Sequence, residues 1–163
     1  MNNFYKILNS IDLNSVLEEY FKLEDQIEWT DYIVSKQAGL QYKDNENPWT
    51  SAVGKRQDDE FLYSTLNSVF QNTIFESIID TYKLKRTRFM WVNEKTCYSM
   101  HRDCTPRIHI PIITNNQSFL VFKEGCVVHL HPGLVYWTDT RYEHTVINGS
   151  ESPRLHLVGI TKD

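Results

Sequence analysis

The sequence predicts an α+β fold: a largely helical front half packed on one face of a closed or sandwiched antiparallel β barrel. Three observations predict it. Before residue 85 the apolar residues recur mostly at three and four. After residue 86 short β-branched and aromatic runs follow one another, separated by turn residues. The chain has 163 residues, 40% of them hydrophobic, which suits one domain over 1–163 with one core and no need of disulfides.

The first helix is expected over Asn14 to Leu23, where Val16, Leu17, Tyr20, Phe21 and Leu23 follow a 3.6-residue period. Ile27 to Ser35 alternates better as a strand. A polar stretch follows, Gln37 to Asp59, carrying Gly39, Asn45, Pro48 and Gly54. A loop of that length in a small domain is usually functional or mobile, so it is the candidate lid, with Tyr42 and Trp49 to close over a substrate. Asp59 to Tyr82 reads as helix again, broken at Asn72-Thr73. Residues 1–85 are thus expected to be mainly helical support with a lid. From Arg86 to the end, strands are expected at about Arg88–Asn93, Thr96–His101, Arg107–Thr114, Phe119–Phe122, Val127–His131, Leu134–Thr138, His144–Asn148 and Arg154–Thr161.

Composition narrows the function classes. The longest apolar runs fall far short of the ~20 residues of a membrane helix. The opening MNNFYKILNSIDLNS lacks the basic-then-apolar pattern of a secretory signal, so a cytosolic protein is expected. Cys97, Cys104 and Cys126 make no close pair and are expected as reduced thiols, small buried hydrophobes by default. A net charge of -4 argues against a broad nucleic-acid surface. The segment Lys83-Leu-Lys85-Arg86-Thr-Arg88 is a candidate local basic patch, or the solvated end of a helix running into a strand.

Chemistry gathers in the second half. In His101-Arg102-Asp103 the imidazole and carboxylate are two residues apart, so on an extended chain they leave the same side together while Arg102 points away. His144, at the start of another predicted strand, is the natural third ligand. Two His and one carboxylate on one face of a metal is the arrangement of non-haem Fe(II) oxygenases. Ten residues later Arg154 opens the last strand, where a buried guanidinium suits bidentate capture of a carboxylate. His156 shares the face of Arg154. His129-Leu-His131 is a second H-x-H, but no carboxylate or third histidine accompanies it, and a structural role is expected. Tyr136 and Trp137 are expected in the core or at its rim.

Two stretches carry a resemblance to a known family. These are His101-Arg-Asp-Cys-Thr-Pro-Arg-Ile-His-Ile-Pro-Ile-Ile-Thr-Asn and Gly133-Leu-Val-Tyr-Trp-Thr-Asp-(x4)-His144-(x3)-Asn148-(x5)-Arg154. Both resemble the core motifs of the aspartyl/asparaginyl β-hydroxylase-like branch of the Fe(II)/2-oxoglutarate-dependent oxygenases, over about Arg86 to Ile160. The resemblance implies a double-stranded β-helix, a cupin-like jelly-roll barrel, over 86–163. It implies His101, Asp103 and His144 as Fe(II) ligands, with 2-oxoglutarate and O2 as cosubstrates. Arg154 is implied as partner of the 5-carboxylate, and Arg107 and His109 as neighbours of the 1-carboxylate. By their residue types alone, His109 reads equally as a hydrogen-bonded core histidine and Arg107 as a structural ion pair.

Two departures matter. Animal members have glycine where this chain has Asp103, so the chain is more like small prokaryotic or viral relatives with a full triad. The serine that assists the cosubstrate arginine falls at Met90, so another hydroxyl, Tyr98 or Ser99, assists Arg154, or none does. The resemblance implies a dioxygenase that couples oxidative decarboxylation of 2-oxoglutarate to C–H hydroxylation. The expected substrate is an amino-acid side chain, free or in a peptide. Oxidation of another small metabolite or a nucleobase is the rival within enzymes. A catalytically silent β-barrel binding protein is the rival outside them, and the intact triad speaks against it.

Overall fold

A computed structural model of the chain describes residues 4–162. It has thirteen strands and two helices in the order β1 (Tyr5–Ser10), α1 (Leu13–Leu23), β2 (Thr30–Asp31), β3 (Ser35–Gly39), β4 (Gln41–Tyr42), β5 (Thr65–Leu66), α2 (Ile74–Tyr82), β6 (Lys85–Val92), β7 (Thr96–Cys97), β8 (Arg107–Ile113), β9 (Ser118–Phe122), β10 (Val127–Val128), β11 (Leu134–Thr138), β12 (His144–Asn148) and β13 (Arg154–Ile160). Seven strands form the major sheet, in the order β1-β11-β8-β13-β6-β3-β2. Four form the minor sheet, β10-β9-β12-β7. All the pairings are antiparallel. Two facing sheets of this topology are the jelly-roll, double-stranded β-helix fold.

The two-residue period of a strand sorts the major sheet into two faces. Phe89, Ile108, Ile110, Ile112, Leu155 and Leu157 pack against Val16 and Tyr20 of α1 and Phe75, Ile78 and Ile79 of α2. Their alternates face the minor sheet, where Val92 and Tyr136 meet Leu120, Phe122, Val128 and Val146. Arg154 and His156 are therefore inward-facing, paired across the rungs with Val92 and Met90. The helices cover the outer face only, and the space between the sheets is left for the site.

Local chemistry sets the helix ends. Asp12 caps α1, its carboxylate accepting from the Ser15 amide at 3.2 Å and the Ser15 hydroxyl at 2.8 Å. Before α2, Asn72 takes φ 59°, which is why the helical pattern breaks there. After α2, Lys83 turns left-handed at φ 51°, and the Leu84 amide closes on the Ile79 carbonyl at 2.9 Å.

The front half departs from expectation in five respects. Residues 1–85 are not mainly helical: helix is confined to α1 and α2, and β3 enters the major sheet beside β6. The strand expected over Ile27 to Ser35 shrinks to β2. The helix expected from Asp59 begins only at Ile74, preceded by single 3-10 turns at Glu60–Leu62 and Ser68–Phe70. The candidate lid is not an open loop. Its first six residues lie in or between β3 and β4, and Trp49, Ala52 and Val53 are buried, Trp49 edge-on to Phe70. Asn47 accepts the Trp49 and Thr50 amides, and Ser51 bonds Glu46 at 2.6 Å, so the segment is pinned. The candidate basic patch is not one either, because Arg86 and Arg88 are buried.

In the second half β11 and β12 match their expected bounds, and β6, β8, β9 and β13 differ by a few residues at their ends. The strands expected over Thr96–His101 and Val127–His131 are shorter, β7 and β10, although His101 still bridges to His144. Cys97 and Cys104 are exposed and Cys126 half-buried, so the cysteines are not core residues. Among the described residues no helix is long and apolar enough to cross a membrane.

Candidate metal centre and cosubstrate pocket

The three predicted ligands converge. His101 lies in the segment after β7, and its backbone pairs with His144 in both directions, at 3.0 and 2.9 Å. The Asp103 amide donates to the Thr140 carbonyl at 2.9 Å, which turns its carboxylate toward the same point. One ligand atom from each of the three lies within 4.8 Å of the others. Asp103 stands 4.0 Å from His101 Nε2 and 3.8 Å from His144 Nε2.

The histidine tautomers follow from their partners. His101 Nδ1 donates to the Ser99 carbonyl at 2.8 Å and His144 Nδ1 to the Tyr142 carbonyl at 2.9 Å. Each bond leaves the Nε2 lone pair free for a cation, the arrangement by which metal-bound histidines are oriented. Burial lowers the pKa of His144, favouring the neutral ligand form. Burial pushes the Asp103 carboxyl up, but Arg107 and the two histidines outweigh it and hold it below its ordinary value. The donor set is two imidazoles and one carboxylate, which fits Fe(II).

Arg107 sits behind this centre. Its Nε meets Asp103 Oδ2 at 3.1 Å, and its two Nη groups meet Glu60 at 2.7 and 3.2 Å. Glu60 also takes Arg86 at 2.6 Å and is itself buried. Nothing in the local pattern singles out Glu60, which falls within the stretch read as a helix from Asp59.

A narrow cavity lies between the sheets. Its lining includes His109, Thr114, Leu120, Leu130, Val146, Arg154 and His156, and none of the three candidate ligands. His109 lies within electrostatic reach of both His144 and Arg154, which brings the cavity close to the candidate centre. Arg154 is 4% exposed and has no carboxylate within ion-pairing distance among the described residues. Burial lowers it to about 10, so it stays charged at neutral pH. Around it several buried polar atoms find no partner: the Tyr98 hydroxyl, the Thr114 hydroxyl, His109 Nδ1 and both ring nitrogens of His156. Such groups are usually satisfied in folded proteins. Their concentration in one cavity marks a place for a polar molecule. Tyr98 lies within electrostatic reach of Arg154, whereas Ser99 is exposed and its carbonyl is committed to His101.

His129 Nδ1 donates to the Ser118 carbonyl, 2.8 Å away, and its ring lies edge-on to His131 at 4.6 Å. With no acid beside them, the pair does not form a ligand cluster among the described residues. Tyr136 is core, its hydroxyl accepting the His131 amide at 2.9 Å.

The family model of the aspartyl/asparaginyl β-hydroxylases matches residues 12–160. The chain belongs to that family. No curated protein sequence matches it. Among solved structures it is similar to an oxidoreductase of the 2OG-Fe(II) oxygenase family from Burkholderia pseudomallei, with TM-score 0.60 and 12% identity over 98% of this chain and 84% of that one. It is similar also to a Trichoplax adhaerens prolyl hydroxylase in complex with a hypoxia inducible factor peptide, with TM-score 0.57 and 13% identity over 98% of this chain and 83% of that one. At these identities the likeness establishes the fold, and function has to be argued from the site. Family and fold together indicate an oxygenase of the hydroxylase type.

Proposed function

We propose that this hydroxylase-family chain is an Fe(II)- and 2-oxoglutarate-dependent dioxygenase that hydroxylates an amino-acid side chain, free or within a peptide. The observation that carries the reading is Arg154. A buried, charged guanidinium without an acid partner lines a cavity together with His109, which lies within electrostatic reach of His144 and Asp103 of the His-Asp-His cluster. That is the layout a dicarboxylate needs if one end is to reach a metal and the other a cation.

Iron, with 2-oxoglutarate and O2, would supply the oxidising power. The protein's own groups do the rest. His101, Asp103 and His144 present three donors on one side and leave the other open. Arg107 holds Asp103 in its ionised form and fixed orientation. Arg154 receives the 5-carboxylate, assisted by the Tyr98 and Thr114 hydroxyls. Leu120, Leu130 and Val146 keep water from the carbon chain between the two ends, which strengthens the ion pair at Arg154. His109, pushed down to about 3 by burial, remains neutral and donates or accepts as a hydrogen-bonding wall near the 1-carboxylate. The peptide carried by the prolyl hydroxylase of the same fold supports a peptide substrate as one alternative.

Two measurements test the reading. Anaerobic addition of 2-oxoglutarate to the Fe(II)-loaded protein should give a visible charge-transfer band; its absence moves the silent-barrel reading to the front. Succinate release over a panel of amino acids, peptides and host proteins then finds the substrate. His101→Ala and His144→Ala should each lose tight Fe(II) binding by calorimetry with far-UV circular dichroism unchanged. Wild-type affinity in either variant means the triad is misassigned. Asp103→Ala should lose less, since members of the family manage with glycine there.

A further inference from the structure

Two of the three candidate ligands take their orientation from one short turn, Asp139 to Tyr142, which joins β11 to β12. The Asp103 amide donates to the Thr140 carbonyl at 2.9 Å. The Thr140 hydroxyl donates to the Thr105 carbonyl, also at 2.9 Å, so the chain is tied to the turn on both sides of Cys104. The Tyr142 carbonyl accepts from His144 Nδ1 at 2.9 Å. The turn closes on itself through the Tyr142 amide and the Asp139 carbonyl, 3.2 Å apart. A shift of this turn would move an imidazole and a carboxylate of the centre together.

Phe4, just before β1, holds the turn at both ends. Its carbonyl accepts the Asp139 amide at 2.8 Å. Its ring stands edge-on to Tyr142, with centroids 5.1 Å apart and planes at 78°. The same ring stacks on Phe122 at 4.9 Å and 29°. Phe122 is 1% exposed and is the cross-strand partner of His144, the two rings lying 6.1 Å apart. Stacked and edge-on contacts are the favoured aromatic geometries, so Phe4 fixes positions as well as filling space. The rest of the strand gives little help. All six residues of β1 are exposed, and β1 is the outermost strand of the major sheet. Half-buried Phe4 instead packs against the core between the sheets. A peripheral strand with so few buried contacts opens at low free energy.

We propose that Phe4 is a positioning residue of the metal centre: it clamps the β11–β12 turn, so that docking of the first strand sets the affinity of His144 and Asp103 for the metal. Groups that orient metal ligands tune the centre without touching the ion. Coupling of this kind is reciprocal, so a metal held at the centre also holds the start of β1 closed. The proposal rests on the metal reading for the affinity; the clamp on the turn does not depend on it.

Co(II) is the probe, read by calorimetry and by its visible absorption. Phe4→Ala should weaken Co(II) by about tenfold and alter the absorption of the bound ion. Phe4→Leu keeps much of the bulk and should recover part of the loss. Val128→Ala opens the same inter-sheet core on β10 and should lower the urea midpoint while leaving Co(II) affinity unchanged. Amide hydrogen exchange gives an arm without metal. There Phe4→Ala should speed the Asp103 and Tyr142 amides by about tenfold and leave β13 as in wild type. In wild type, Co(II) should slow the Asp139 amide, which Phe4 accepts, and that slowing should shrink in Phe4→Ala. If Phe4→Ala does not fold, the same comparisons are read from Phe4→Leu. Wild-type Co(II) affinity in the Phe4 variant, an equal loss in Val128→Ala, or unchanged exchange at Asp103 and Tyr142 would each overturn the assignment. If wild type binds no Co(II), the metal reading fails, and the exchange arm still decides whether Phe4 holds the turn.

Discussion

The inner surface of the barrel holds two kinds of buried guanidinium. Arg86 and Arg107 converge on Glu60 at 2.6 and 2.7 Å, and Arg107 also grips Asp103. Arg154 is no less buried and meets no acid. The first arrangement is complete within the protein, so its energy is spent on holding the shape of the metal centre. The second has no counter-charge within the protein, and in the proposed reading the cosubstrate supplies it. Burial alone does not separate structural from functional arginines here; the presence or absence of a counter-charge does.

The comparison breaks most visibly at Glu60. Glu60→Ala removes the acid from a buried pair and leaves two guanidinium groups facing each other. It should cost about 3–5 kcal/mol of folding stability in urea denaturation. Arg154→Ala should cost none. A wild-type unfolding midpoint in Glu60→Ala would show that the cluster is hydrated rather than sealed.

The converse holds for the cosubstrate. Arg154→Ala should weaken 2-oxoglutarate by on the order of 2–5 kcal/mol, because it truncates one partner of a buried charge pair. Fe(II) affinity should not change, as Arg154 touches no predicted ligand. Arg154→Lys should recover only part, since an ammonium cannot reproduce the planar fork. The iron charge-transfer titration reads all three. Undiminished binding in Arg154→Ala would place the clamp elsewhere, with Arg107 the first suspect.

A smaller effect sharpens the contrast through pH. Burial holds the folded-state pKa of His109 at about 3, and pushes His156 down as well. The unfolded chain takes up these protons near the ordinary value of 6.5. Stability is therefore full above pH 6.5 and falls as pH drops toward 3, by up to about 1.4 kcal/mol per pH unit for each histidine. Glu60 and Asp103 have lowered folded-state pKa values, so their contribution is lost only at more acid pH. Between pH 6.5 and 5 the urea midpoint of the metal-free protein should fall, and His109→Leu should flatten that slope. A slope unchanged by His109→Leu would mean that the ring is hydrated in solution.

The smallest effect is chemical. Cys104 is exposed and follows Asp103 directly, so oxidants released at the metal centre should reach it first. Peptide mass mapping after turnover with iron and 2-oxoglutarate but no substrate should find Cys104 modified ahead of Cys97 and Cys126. Equal modification of the three would remove the argument from proximity.

Much of the site was legible in the sequence, because it depends on the two-residue period of strands and on residues with few alternative uses. Strand spacing put His101 and Asp103 on one side, the motif around His144 and Arg154 and its resemblance to the family completed the candidate set, and β11 and β12 fell at their expected bounds. The front half was less legible. In Gln37 to Asp59, polarity and Gly/Pro content read as a mobile lid, yet part of the segment is packed into the fold. Its Ala52 and Gly54 carbonyls accept from Arg86 at 3.0 and 2.5 Å, and Ala52 also from Arg88. Polar residues there serve buried partners rather than water, and the partners lie thirty residues or so further along the chain.

By itself, the sequence determined the β-rich second half, the candidate triad and the placing of Arg154 at the head of the last strand. These follow from local periodicity and from the chemistry of single side chains. Tertiary structure alone decided the rest. It recruited β3 from the predicted lid into the major sheet, and it brought Glu60 across to Arg86 and Arg107. It also left Arg88 and Arg154 without an acid. Charge compensation is a property of spatial neighbours, and no spacing along the chain records which buried arginine has found its carboxylate.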